Sequence, residues 1–208
     1  MEKLAKIISF LFFPLFMSFY GLALLFSLRI FSVYPIRYIL LNFLIAFIFC
    51  LLLPTISFIL LEKIGLISNF KMYKKEDRVL PLTLTSLSFL FCSYKLYLYA
   101  MPMFIVDIAI STSIAILFVA IISHWWKISG HMTGVGALVS SILSVGLSTY
   151  TNTSFAFCCF ILISGLVASA RYYQKKHTFS QLAAGFVNGF LSIQIFSNLQ
   201  IANLFQFI

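Results

Sequence analysis

The chain has 208 residues, of which 62% are hydrophobic and only 9% are charged, and its mean hydropathy is +1.07. Soluble domains contain roughly 25% charged residues, so this composition argues strongly against a water-soluble globular protein. The net charge of +9 would suit a nucleic-acid-binding protein, but the Lys and Arg residues lie in short segments between apolar runs, as in membrane proteins. We therefore expect an integral membrane protein without a nucleic-acid partner.

A helix needs roughly 20 predominantly apolar residues to cross a bilayer. The sequence then predicts an all-α, polytopic membrane helix bundle of six to seven transmembrane helices, forming a single integral membrane domain over residues 1–208. The predicted spans are 5–29, 38–61, 79–100, 103–124, 131–149, 155–173 and 178–206. The four cysteines fall inside apolar runs and are interpreted as small hydrophobic side chains; they are Cys50, Cys92, Cys158 and Cys159.

Seven crossings would place the connecting segments alternately on two faces of the membrane. The face that holds the N-terminus, called face one, receives eleven of the 14 Lys and Arg residues. The other three are Arg29, Arg37 and Lys95. The positive-inside rule would make face one cytoplasmic.

Two ionisable residues lie inside the third and fourth predicted spans. Lys95 and Asp107 are each six residues from Met101, which precedes Pro102 at the tip of a predicted hairpin. Both would therefore lie about 9 Å from the turn. We predict that they form an ion pair, because pairing lowers the cost of placing two charges in the bilayer. A role in substrate binding is the alternative.

Three polar clusters interrupt the hydrophobic sequence, at 71–78, 125–131 and 169–181. Two predicted helices separate each cluster from the next, so all three return to face one. Arginine and lysine side chains offer cationic donors to phosphate oxygens, and backbone N–H groups at a helix N-terminus favour the same anion. The clusters together therefore indicate a phosphate site at one end of the bundle.

The spacing within these clusters carries a family resemblance. Lys71 and Arg78 are separated by six residues, Ser129-Gly130-His131 follow, and Arg171 is followed by His177 after five intervening residues. This arrangement resembles the type 2 phosphatidic acid phosphatase superfamily of membrane lipid phosphatases, whose soluble relatives are the vanadium haloperoxidases. The family pattern is K-x6-R-P, P-S-G-H and S-R-x5-H-x3-D. The phosphatase-like core covers about residues 71–190, after the two N-terminal helices at 5–29 and 38–61.

Four positions depart from the family pattern. Val79 and Ile128 replace prolines, and Ala170 replaces a serine. These three changes affect loop shape more than chemistry. The fourth departure is Gln181, which replaces the aspartate that would orient the catalytic histidine and stabilise its positive form.

The resemblance implies a division of roles among the motif residues. His177 would attack phosphorus and form a phosphohistidine, while His131 would protonate the leaving oxygen. The implied chemistry needs no metal and no other cofactor. The residues expected to bind the phosphate are Lys71, Arg78, Ser129, Gly130 and Arg171. Lys127 is either a further phosphate ligand or an ordinary cation at the membrane surface.

Two interpretations of Gln181 are compatible with each other. Its side-chain oxygen could accept a hydrogen bond from His177, four residues earlier on one helix face. Thr178-Phe179-Ser180-Gln181 is also a capping box for the last helix. A glutamine supplies no charge in either case, so full catalytic activity does not follow from the sequence.

The sequence thus predicts a metal-independent membrane lipid phosphatase that hydrolyses a phosphomonoester or pyrophosphate headgroup. Phosphatidic acid, phosphatidylglycerophosphate, a prenyl pyrophosphate and a lipid A phosphate all fit. The alternative is a catalytically weak or inactive homologue that acts as a phospholipid-binding or transport-like membrane protein. The resemblance implies a cell membrane of the bacterial inner-membrane type and a site that often faces outward, opposite to the positive-inside prediction. The oligomeric state is not indicated.

Overall fold

The computed structural model describes residues 2–68 and 76–207, and within these residues the chain is helical, without a β-strand. The α-helices, numbered in chain order, are α1 (Glu2–Leu11), α2 (Met17–Ser27), α3 (Ile36–Ala46), α4 (Leu53–Lys63), α5 (Glu76–Leu98), α6 (Met103–Ser123), α7 (Gly130–Thr149), α8 (Ser154–Tyr173) and α9 (Phe179–Asn198). A π-helix over Phe47–Leu52 joins α3 to α4. The all-α prediction is confirmed.

Among the described residues, six helical segments are long and apolar enough to cross a membrane, and the number is seven if α1 and α2 count as one bent span. The segment Ile36–Lys63, which contains α3, the π-helix and α4, has 28 residues and counts as one of the six. Large apolar side chains such as Phe155 and Leu162 point away from the bundle, with 84% and 72% of their surface exposed. This is the pattern expected where lipid is the solvent, and the prediction of six to seven transmembrane helices is confirmed.

The first predicted span, 5–29, is not one continuous helix. Helix α1 ends at Leu11 and α2 begins at Met17, with a bend of 42° between them. Pro14 causes the break, because its ring excludes the preceding residue from helical geometry and it has no N–H to donate. Phe13 accordingly adopts an extended conformation, with φ −66° and ψ 137°.

The last predicted span, 178–206, is too long. Helix α9 ends at Asn198, and a short 3-10 segment, Ile201–Phe207, packs against α6. The Ala202 N–H donates a hydrogen bond of 2.6 Å to Oδ1 of Asp107, which is 3% exposed.

Lys95 is exposed and forms no ion pair with Asp107, so that predicted pair is wrong. A backbone N–H meets the buried carboxylate, while the long lysine side chain extends outward.

Helices α7 and α9 approach each other closely because glycines lie at their contact. A Cβ on Gly189 would lie 2.0 Å from the Thr133 carbonyl oxygen, and one on Gly185 would lie 2.5 Å from that of Ser129. Gly136 of α7 meets the Phe186 carbonyl oxygen in the same way, at 2.3 Å. Small residues at such positions allow two helix backbones to approach closely. This contact places the start of α9 beside the start of α7.

We predict that Gly189→Ala destabilises the protein by about 1–3 kcal/mol, because the added methyl group would overlap three backbone atoms of α7. Gly165→Ala is the matched control, since a Cβ on Gly165 of α8 meets no atom within 4 Å. We expect it to be neutral or slightly stabilising. Thermal unfolding in detergent measures both, and equal effects of the two substitutions would contradict the prediction.

Candidate active site

The described motif residues come together at one end of the bundle, where α5, α8 and α9 meet the turn between α6 and α7. Arg78 of α5 is only 6% exposed, and its Nη2 donates a hydrogen bond of 2.9 Å to the Ile128 carbonyl oxygen. This bond joins the first motif to the second. Lys71 lies outside the described residues.

Two arginines at this end have polar atoms that are buried without a partner. The atoms are Nη1 of Arg78 and Nε of Arg171. Among the described residues neither guanidinium has a carboxylate partner. Asp77, next to Arg78 in the chain, accepts a hydrogen bond from the Ser68 hydroxyl instead. Buried charges are normally paired, so the unpartnered N–H groups of Arg78 and Arg171 are unusual.

His177 lies in the turn between α8 and α9 and has a defined tautomer. Its Nδ1 is 3.1 Å from the Lys127 carbonyl oxygen and 3.3 Å from Oε1 of Gln181. Both neighbours are hydrogen-bond acceptors, so Nδ1 carries the hydrogen. The lone pair of the neutral ring is then on Nε2, which is available to attack an electrophile.

The side chain of Gln181 has a fixed orientation. The Thr178 N–H donates to Oε1 of Gln181 over 3.1 Å, and the Gln181 N–H is 3.4 Å from the Thr178 hydroxyl oxygen. This is the predicted capping box, which is confirmed. Because the Thr178 N–H is a donor, the atom facing both it and His177 must be the amide oxygen. The hydrogen bond to His177 and the capping box therefore use the same oxygen of Gln181 in one side-chain orientation.

The surroundings of His177 keep it neutral. Burial and the positive charges of Arg171 and Arg78 lower the pKa of His177 from its ordinary value of 6.5 to about 4. The hydrogen bonds to Gln181 and to the Lys127 carbonyl act in the opposite direction but are outweighed. A bound anion would offset the two arginine charges. At neutral pH these surroundings therefore keep His177 in its uncharged form.

His131 lies in the first turn of α7, beneath α1. Its Nε2 is 3.1 Å from the Ser9 carbonyl oxygen, so Nε2 donates to α1, and the ring packs edge-on against Phe13. Gln174 holds α1 from the other side, since its Nε2 donates to the Ala5 carbonyl at 2.7 Å and to Oγ of Ser9 at 2.8 Å. Sequence reasoning missed Ser9 and Gln174. The only signal was the place of Gln174 between the arginine and histidine of the third motif.

Ser129 and Gly130 have different surroundings. Ser129 is fully buried, and its Oγ accepts a hydrogen bond from the Met132 N–H at 3.4 Å as the N-cap of α7. Its N–H donates to the Gln181 carbonyl at 3.2 Å. The Ser129 hydroxyl thus caps α7, and Ser129 does not line the adjoining cavity. Gly130 does line it, and a Cβ there would meet no atom within 4 Å.

A cavity of about 640 Å3 begins at these residues and extends into the bundle. The basic and histidine side chains that line it are Lys6, Arg78, Lys127, His131, Arg171, Lys176 and His177. The remaining lining is uncharged and comes largely from α2, α5, α6 and α7. Lys127 therefore lies at the cavity, as expected for a phosphate ligand. The cavity combines a cationic end with an apolar interior.

Comparisons with protein-family models, with characterised proteins and with solved structures find no match to this chain.

We predict that His177 stays neutral down to about pH 5 and takes up a proton near pH 4. Since the unfolded chain takes up this proton near 6.5, the free energy of unfolding should fall as the pH drops through this interval. Nitrogen-15 NMR of histidine-labelled protein in micelles measures the titration, and His177→Gln assigns the signal. Arg171→Gln should raise the pKa. A wild-type pKa near 6.5 would contradict the prediction.

We also predict that Gly130→Ala weakens the binding of inorganic phosphate several-fold, because its methyl group would project into the space where the anion approaches the α7 N-terminus. The fold should be unaffected or slightly stabilised, since alanine is the better helix former. Calorimetric titration with phosphate gives the affinity, and thermal unfolding gives the stability. Unchanged phosphate affinity would exclude close approach of the anion to this backbone.

Proposed function

We propose that the protein is a membrane phosphatase that removes a phosphate or pyrophosphate headgroup from a lipid through a phosphohistidine on His177. One observation carries the proposal. Buried Arg78 and half-buried Arg171, each with a buried N–H that has no partner, lie near a neutral histidine whose Nε2 carries the lone pair. This combination supplies charge for the phosphoryl oxygens and a nucleophile for phosphorus.

In the first step Nε2 of His177 attacks phosphorus, and a P–N bond forms as the P–O bond to the leaving group breaks. The electron pair of the broken bond goes to the leaving oxygen, which takes a proton from His131. The Nε2 hydrogen of His131 is donated to Ser9, so His131 must take up a second proton at Nδ1 when the anionic substrate binds and offsets the arginine charges. This Nδ1 proton is the one that passes to the leaving oxygen. Arg78 and Arg171 stabilise the charge on the equatorial phosphoryl oxygens.

In the second step water attacks the phosphohistidine, the P–N bond breaks, and the electron pair returns to Nε2 of His177. His131 accepts the proton of the attacking water and is ready for the next cycle. Gln181 and the Lys127 carbonyl hold the N–H of His177 throughout, which keeps the lone pair directed away from them. The products are inorganic phosphate and the lipid alcohol, or the lipid monophosphate if the substrate is a pyrophosphate.

A second candidate is an anion-binding protein with little or no turnover. Gln181 favours it, because its oxygen accepts from both His177 and Thr178 and brings no negative charge to stabilise a positive imidazole. Loss of a carboxylate at the analogous place in a serine-hydrolase triad costs on the order of 10⁴ in rate. Such a protein would keep the affinity of the arginine pair for phosphate but would not cleave its ligand.

We predict that the purified protein in detergent with excess chelator releases phosphate from phosphatidic acid, phosphatidylglycerophosphate or a prenyl pyrophosphate. His177→Ala should abolish the release, whereas His124→Ala should retain it within about twofold, because His124 is exposed and lies outside the cavity. A substrate labelled with ³²P should leave label on the His177 peptide after denaturation in alkali.

Replacing Gln181 with Asp separates the two candidates. We expect it to raise the rate of release, because the new carboxylate stabilises the positive charge that develops on His177. Equal release by the wild type and by His177→Ala would overturn the phosphohistidine mechanism. Phosphate binding without release in the wild type, with release gained in Gln181→Asp, would establish the anion-binding alternative.

A further inference from the structure

The apolar part of the cavity follows one face of α5 for almost its whole length. The α5 residues that line it recur at helical spacing; they are Arg78, Leu82, Thr85, Phe89, Cys92 and Leu96. From Arg78 to Leu96 the helix rises by about 27 Å, which is close to the thickness of the hydrocarbon core of a bilayer. The cavity thus extends from the cationic end through most of the membrane.

The deep part of this cavity is uncharged. Below Arg78 it is lined by apolar side chains and by small residues of α2, α6 and α7, including Gly21, Ala109 and Ala137. Cys50 and Cys92 meet there, with their sulfur atoms 3.6 Å apart, and each is 3% exposed. Hydroxyl groups also line it, but those of Ser18, Thr85, Thr112 and Ser141 donate to backbone carbonyls three or four residues earlier. The surface left for a ligand is therefore largely apolar and suits a hydrocarbon.

The size of the cavity fits one hydrocarbon chain. An extended chain advances about 1.2 Å per bond, so a length of about 27 Å corresponds to roughly 22 carbons. The length of the cavity thus suits a single chain of about 20 carbons.

We propose that one hydrocarbon chain of the substrate lies inside the bundle, with its phosphate at Arg78 and Arg171 and its end near Cys50 and Cys92. This inference rests on the proposed function, since it takes the ligand to be a lipid phosphate. It narrows that ligand to a lipid with a chain of up to about 20 carbons inside the protein. Any second chain stays in the surrounding bilayer.

The test uses alkyl phosphonates, which are not hydrolysed, with a photoreactive diazirine at the far end of a chain of 6, 10 or 16 carbons. After irradiation of the full-length protein in nanodiscs, mass spectrometry locates the attached residue. We expect the 6-carbon probe to attach near Leu82 and Phe13 and the 16-carbon probe near Phe89, Cys92 and Cys50. Excess unlabelled hexadecyl phosphonate should suppress both attachments at least fivefold.

Cys92→Phe should block the lower part of the cavity and cut deep attachment of the 16-carbon probe by at least tenfold. Cys158→Phe makes the same change at an exposed position of α8 and should leave deep attachment unchanged. If Cys92→Phe fails to fold, attachment of the 6-carbon probe is also lost, and Cys50→Leu then serves as the milder block. Attachment to the outward-facing Leu87 and Phe91 at every chain length, or attachment that hexadecyl phosphonate does not suppress, would overturn the inference.

The binding test does not depend on turnover. Depth-dependent attachment in a protein that releases no phosphate would support the chain site while rejecting the proposed phosphatase. Phosphate release together with attachment only on the outer surface would support the proposed phosphatase and reject the chain site.

Discussion

The contact between α7 and α9 is the constraint on which the rest of the site depends. Gly185 and Gly189 let the two backbones meet without intervening side chains, so that Ser129 donates directly to the Gln181 carbonyl. The second and third motifs are thereby fixed to each other by main-chain atoms. The hydrogen bond from Arg78 to the Ile128 carbonyl joins the first motif to the second. The geometry thus depends on close backbone approach more than on side-chain packing.

Within this frame the electrostatics favour a neutral nucleophile and an anionic ligand. Burial and the charges of two guanidinium groups without carboxylate partners lower the pKa of His177, so the histidine is uncharged at neutral pH. Under the proposed function the same two cations bind the phosphate, so that one arrangement both keeps the histidine uncharged and attracts the anion.

The sequence was sufficient to predict the all-α fold with six to seven spans. It also predicted that Arg78 lies with the second and third clusters, because the number of predicted spans between clusters determines which face each one reaches. It was also sufficient for the capping box at Thr178 and Gln181, which depends on local spacing. It failed where the outcome depends on tertiary contacts. Pro14 bends the first span by 42°, and Ala202 replaces Lys95 as the partner of Asp107. The hydrogen bonds of Ser9 and Gln174 depend on how α1 packs against the other helices, and no local sequence pattern predicts that packing.

The position of α1 has a consequence for biosynthesis. Its hydrogen bonds to His131 and to Gln174 join residues 122 and 169 positions apart in the chain. A ribosome delivers α1 well before its partners, which are His131 of α7 and Gln174 just after α8. Until then the carbonyl groups of Ala5 and Ser9 lack these partners. Completion of the site is therefore among the last events of folding, and a partly synthesised chain in the membrane has no assembled site.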